Sequence, residues 1–205
     1  MATAFDQLSD QQKTQYRERL SRLGCPDHEG SGLRPRSKNG PIHLSSNPRE
    51  SAVLPHFLQV HDLDELKALA GVPDSLFDSG AVAAADWEPQ EEWPAAREVT
   101  NFTSIDPKEA RRILNAGRAY VLGPSQRFAS YKKAFEKLHM PLVVVTFSLQ
   151  DVTVSPGNPL ILSGDHPIVA NFGTVTIVDG GQILVQVEAT VNMQVLTKVP
   201  DSSPS

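Results

Sequence analysis

An internal repeat constrains this chain more than any other feature of its sequence. The segment Val152-Thr-Val-Ser-Pro-Gly-Asn-Pro-Leu-Ile-Leu162 recurs without a gap 23 residues later as Val175-Thr-Ile-Val-Asp-Gly-Gly-Gln-Ile-Leu-Val185. Apolar residues fall on apolar residues, Thr on Thr and Gly157 on Gly180. The same spacing relates Val145, Phe147 and Leu149 to Ile168, Ala170 and Phe172, and these to Val191, Met193 and Val195. A fixed period of this size marks a chain that winds one supersecondary unit repeatedly. Stacked coils then share a core that no single coil can bury alone.

The repeat predicts strands, a Gly-containing turn, and strands again over residues 141–198, with alternating apolar residues and a β-branched bias. A short β-solenoid, or β-helix, is the first reading, and a β-sandwich or jelly roll is the alternative. In the solenoid, Val145, Ile168 and Val191 form one apolar ladder, Val152 and Val175 a second, and Leu160 and Ile183 a third. Asn171 and Gln194 fall on the exterior or at a corner. Gly157 and Gly180 take matching bends, where positive φ is cheap. The string Asn171-Phe-Gly-Thr-Val-Thr-Ile-Val-Asp-Gly-Gly-Gln-Ile183 resembles coils of right-handed β-helices in adhesins and polysaccharide-active proteins. That pattern is generic and names no family.

Upstream, the chain reads as helical and loop-rich, so the fold class is α+β. Ser9 and Gln12 form a capping box for a helix that runs to Leu23 and closes at Gly24. Its apolar stripe is thin (Tyr16, Leu20, Leu23), so it must dock or fray. Residues 25–52 read as loop, 55–60 as a short strand, and Asp62 as the cap of a helix to Leu69. Asp106-Pro107 opens another helix, ending near Asn115-Ala-Gly117, and Tyr120–Leu122 reads as a strand. Ser125 caps a helix with Phe128, Tyr131, Phe135 and Leu138 on one face and Arg127, Lys132, Lys133 and Lys137 on the other. This amphipathic helix is expected to cap the β-repeat. Domain boundaries follow: 1–53 as N-terminal helix and flexible segment, 54–198 as main domain (helical to 140, β from 141), and 199–205 as a disordered tail.

Charge is organised in blocks. The net of −5 divides as +2 over residues 1–60, −8 over 61–100, +5 over 101–140 and −4 over 141–205. Such blocks serve solubility and pairing, and head-to-tail assembly is the sharper reading. No recognised nucleic-acid module surrounds the basic block, so nucleic acid is not the expected partner. No run reaches membrane-span length, and no secretory signal opens the sequence. With Cys25 as the lone cysteine, the expected location is cytoplasmic, or reached by a signal-peptide-independent route.

Chemistry-bearing motifs are few. Cys25-Pro-Asp-His28 has a spacing that suits two zinc ligands, but a second such pair is missing, so no metal is expected. Asp165-His166, in a turn, is the weak catalytic candidate, since a carboxylate beside an imidazole positions a general base. No nucleophile elbow or phosphate-binding loop accompanies it, so the reading leans away from an enzyme and needs no cofactor. Trp87 and Trp93, in an acidic loop, are surface anchors first and partner-binding residues second. The expected function is a non-enzymatic interaction and assembly protein, self-associating into a homo-oligomer or joining a protein partner through the β-repeat. Carbohydrate binding or processing on a β-helix is the alternative, opposed by the lack of Trp or Tyr in the repeat. An effector exported without a classical signal peptide is a further one.

Overall fold

The computed structural model describes residues 3–24, 40–84, 103 and 105–200. Within them lie five α-helices and seven strands, an α+β fold with two sheets. The chain divides into two compact units, Met1–Leu58 with Val143–Ser205, and Gln59–Leu142.

The first unit holds the repeat. Its strands are β1 (Ile42–Ser45), β2 (His56–Val60, its last residues in the second unit), β3 (Leu142–Val154), β4 (Leu160–Ser163), β5 (Ile168–Val178), β6 (Ile183–Val185) and β7 (Ala189–Val199). One sheet has the order β1-β4-β6 and the other β2-β3-β5-β7. β1, β4 and β6 pair in parallel, as do β3, β5 and β7. The 23-residue period is the hydrogen-bond register: Val145 lies opposite Ile168, Val152 opposite Val175, and Leu160 opposite Ile183.

The last coil departs from the expected register. Ile168 faces Ala189, so Val191 lies opposite Ala170 rather than Ile168, and Met193 opposite Phe172. The coil is two residues shorter. Because side chains alternate with period two, a two-residue change keeps the same faces inward, whereas a change of one would have turned the strand inside out. Val145, Phe147, Leu149, Val152, Val154, Leu160, Leu162, Ile168, Ala170, Phe172 and Val175 are buried in one core with Leu44. The inward set changes parity between Leu149 and Val152, which marks a bend within β3, and β5 repeats it between Phe172 and Val175.

β1 lies inside the stretch expected to be loop. It forms because Ile42 and Leu44 pair with Leu160 and Leu162 and extend the shared core. Two apolar residues gave too short a pattern for recognition; the partner strand supplies the rest. Of the two turn glycines, Gly180 takes φ +80° and Gly157 does not have positive φ.

Helix α1 (Asp10–Arg22) docks rather than frays. The expected capping box is present, and Gly24 closes with φ +61°. α1 packs on β5, burying Tyr16, Leu20 and Leu23. Tyr16 is hydrogen-bonded to Ser148 at 2.8 Å, and Thr146 donates to the Leu23 carbonyl at 3.3 Å. Upstream, the Phe5 amide donates to Asp151 at 2.8 Å, and the Phe5 ring sits on Gly173, where a β-carbon would collide with it. Asn171 is therefore not external. It lies opposite Ser148 and Asn192, not Gln194, and is fully buried. Its side-chain amide has no hydrogen-bonding partner among the described residues.

The second unit is helical: α2 (Leu63–Ala70), α3 (Asp74–Asp78), α4 (Pro107–Leu122), a 3-10 turn (Ser125–Tyr131) and α5 (Lys132–His139). The Asp62 and Asp106 caps form as expected. Other expectations fail. α4 runs through Gly117 to Leu122, so the strand at Tyr120–Leu122 does not exist. Gly117 is no terminator; its missing side chain lets the Phe135 ring lie against the helix backbone. Ser125 does not cap a helix but bonds Asp74 through its amide and hydroxyl, at 2.9 and 2.6 Å. The apolar face of α5 is absorbed by the core of its own unit, with Leu63, Ile113, Ala116 and Tyr120.

Lys67 holds the C-terminus of α4. Its ammonium donates to the carbonyls of Tyr120 (3.0 Å), Val121 (3.4 Å) and Gly123 (2.6 Å), and pairs with Asp74 at 3.2 Å. These are the carbonyls a helix end leaves unsatisfied, and the negative end of the helix dipole. Asp64 on α2 joins α4 and α5 through hydrogen bonds from Tyr120 and Lys132. The Lys132 bond, then the Tyr120 bond, hold the Asp64 carboxyl below its usual range.

Two expectations follow for stability. Asn171→Leu removes a buried amide without partners at similar volume, and should raise stability by about 1 kcal/mol in urea unfolding. Lys67→Met keeps the aliphatic stem but takes its donor from the Tyr120 and Gly123 carbonyls, while the Val121 carbonyl keeps the Val72 amide, and should cost about 2–3 kcal/mol by the same measurement.

Candidate functional site

Asp165 and His166 lie in the turn between β4 and β5, and the structure brings them together with Ser46. The Ser46 hydroxyl donates to Asp165 Oδ1 at 2.6 Å, and the Asp165 amide donates back to Ser46 Oγ at 3.1 Å. His166 Nδ1 lies 2.7 Å from the same Oδ1, and its ring meets Phe57 edge-on at 5.9 Å. Gly164, at φ +126°, allows the close approach, because a β-carbon there would strike Ser46 Oγ. The Asp165 carboxyl is held below its usual range by the Ser46 hydrogen bond first and the His166 bond second.

This connectivity is not that of a nucleophilic triad. There the serine proton goes to the imidazole, and the carboxylate holds the opposite ring nitrogen. Ser46 instead donates its hydrogen bond to the carboxylate, and serine and histidine share one oxygen. The hydroxyl is spent on the carboxylate rather than activated. Asp165 is four-fifths exposed, so water competes for its charge. The cluster is a clasp that ties the turn after β4 to the loop after β1. Ser46 and Phe57 are far from Asp165 in sequence, and no local pattern announced them.

Cys25, His28, Trp87 and Trp93 lie outside the described residues. Among the described residues no group of three His, Cys, Asp or Glu side chains is placed to hold a metal ion. Asp151 binds Phe5 and Thr174, and Asp179 pairs with Lys198 at 3.7 Å, so the carboxylates of the repeat do separate structural work. No helix among the described residues is long and apolar enough to cross a membrane.

A cavity of about 330 Å³ lies on the second unit, floored by Ala119, Leu122 and Phe128 and edged by Arg118 and Arg127. Guanidinium groups stay protonated at any working pH, so this lining has no general base.

The third place is the end of the repeat. At the β1 end, the free edge is covered by the following loop: the Ala52 amide donates to the His43 carbonyl (2.7 Å), and the Ser45 amide donates to Ser51 Oγ (3.2 Å). Val53 packs against the core beneath. At the other end, β6 and β7 are the outer strands of the two sheets. Ile183, Val187, Ala189, Val191 and Met193 touch the core but stay half-buried, while Val185 and Leu196 are more than half exposed. From Ala189 to Thr197 the strand carries no charge.

No protein-family model, no curated protein and no solved structure matches this chain.

The clasp makes a direct prediction. Ser46→Ala removes the leading cause of the low Asp165 pKa, so the carboxyl should titrate closer to 3.8 in carbon-detected NMR. A depressed carboxylate favours the fold above its unfolded pKa and loses that favour as pH falls through its folded pKa. The variant should therefore show a shallower loss of stability below about pH 4.

Proposed function

We propose that this protein is a non-enzymatic interaction and assembly module. Its β-repeat acts as a short β-solenoid whose open end is completed by another polypeptide. The observation that carries the reading is the asymmetry of the two ends: loop 46–53 covers β1, while β7 offers an eleven-residue edge above half-buried Val191 and Met193. A long, uncharged edge is a template for strand addition. Natural monomers blunt such edges with charge, proline or a covering element. Here Lys198, at the far end of β7, is the strand's lone charge. Incompleteness supports the same reading, since a stack this short gains from further coils to bury its last one.

Sedimentation velocity of the full chain tests this. Concentration-dependent association is expected in the micromolar range. Met193→Lys places an ammonium where the added strand must pack, and should weaken association at least about tenfold while leaving the far-ultraviolet circular dichroism unchanged. A wild-type chain that stays monomeric at all accessible concentrations overturns the reading.

A further inference from the structure

We infer that the segment from Phe5 to Gly24 is a detachable strap. α1 and the turn at Phe5 leave the outer face of the β3-β5 sheet as one unit, while the stacked strands stay folded. The inference concerns the face opposite the core of the stack, so it does not rest on the assembly reading.

The two faces of this sheet differ in what they need. Val145, Phe147 and Leu149 point into the core, opposite Ile168, Ala170 and Phe172. The residues between them point the other way: Thr146 and Ser148 on β3, Val169 and Asn171 on β5. Thr190 and Asn192 continue these rows on β7. All but Val169 are polar, so the face is compatible with water. No strand pairing passes through α1, since β3 pairs with β5 and β5 with β7. Lifting the strap therefore breaks no hydrogen bond of these ladders.

Docking, by contrast, has a cost that release removes. Asn171 is fully buried, and neither its amide nitrogen nor its amide oxygen has a hydrogen-bonding partner. Water satisfies both once α1 lifts. Arg19 on α1 is partly buried, and burial first, then Arg22, lowers its pKa, which is a penalty of the same sense on its charge. Against these costs stand the anchors Phe5, Leu8, Tyr16, Leu20 and Leu23, with the bonds to Ser148, Thr146 and Asp151. The anchors hold the strap shut, and the stranded amide brings opening within reach. A free helix of thirteen residues is marginal in water, so release and unfolding of α1 are one event. Release bares parallel rows of hydroxyl and amide side chains that the docked strap hides.

Cysteine labelling of the full chain tests this. On a Cys25→Ser background, Thr146→Cys and Val145→Cys place thiols at adjacent, fully buried positions on opposite faces of β3. Dithionitrobenzoate should label Thr146→Cys at least about 100-fold faster, because that thiol needs only a local opening and the other needs the stack to open. Adding Asn171→Leu to the Thr146→Cys chain should slow its labelling about fivefold, since release no longer relieves a stranded amide. Hydrogen exchange of the wild type reads the same opening without any substitution: α1 amides should exchange as one group, ahead of those of β3 and β5. Equal labelling of the two thiols, or α1 amides that exchange only together with the strands, overturns the strap and makes α1 an integral layer of the fold. Labelling that Asn171→Leu leaves unchanged overturns the part given to Asn171.

Discussion

Parallel, in-register stacking of inward apolar residues is the interaction on which the first unit depends. Leu149 on Phe172 on Met193, and Leu44 on Leu162 on Val185, are columns in which each residue is covered by its equivalent one coil away. Burial along a column is shared, so Leu44, Leu149, Leu162 and Phe172 are dry, and the members at the β6 and β7 end are not. Phe172 is fully buried while Met193 is half-buried. The exposure at β6 and β7 is a direct consequence of where the stack stops, and that consequence motivates the functional reading.

The opposite face of the β3-β5 sheet is treated differently. It carries Thr146, Ser148 and Asn171, polar side chains that would be at ease in water. α1 covers them, and only some are compensated. Tyr16 and the Leu23 carbonyl answer Ser148 and Thr146, whereas Asn171 has no partner among the described residues. An unsatisfied buried amide is costly. The contact is held by the apolar anchors Phe5, Tyr16, Leu20 and Leu23, and by the fit of the Phe5 ring on Gly173.

The second unit obeys another logic. Its core is ordinary helix packing, with Gly117 letting Phe135 approach α4 closely. Its polar bonds sit at helix ends: Lys67 on the final carbonyls of α4, Asp74 on Ser125, and Asp64 between Tyr120 and Lys132. The basic and acidic charge blocks meet in part through these contacts within the unit, Lys132 with Asp64 being one. That is the pairing role a block pattern ordinarily serves.

What the sequence determined by itself was periodic or local. The 23-residue spacing is the hydrogen-bond register of β3 with β5 and of β4 with β6, because equivalent residues of paired strands sit side by side to share burial. The Ser9, Asp62 and Asp106 caps are set by side chains within three residues of the amides they bind. Asp165 and His166 touch because they are neighbours. Only tertiary structure decided the rest. β1 is a strand because Leu160 and Leu162 accept it. Gly117 continues a helix because Phe135 needs its empty side. Asn171 is buried because a helix distant in sequence lies over it. The role of Ser46 depends on a contact spanning 119 residues, and its hydroxyl donates to the carboxylate rather than to the imidazole. Contacts of that range leave no periodic trace, since each depends on a single residue meeting another once.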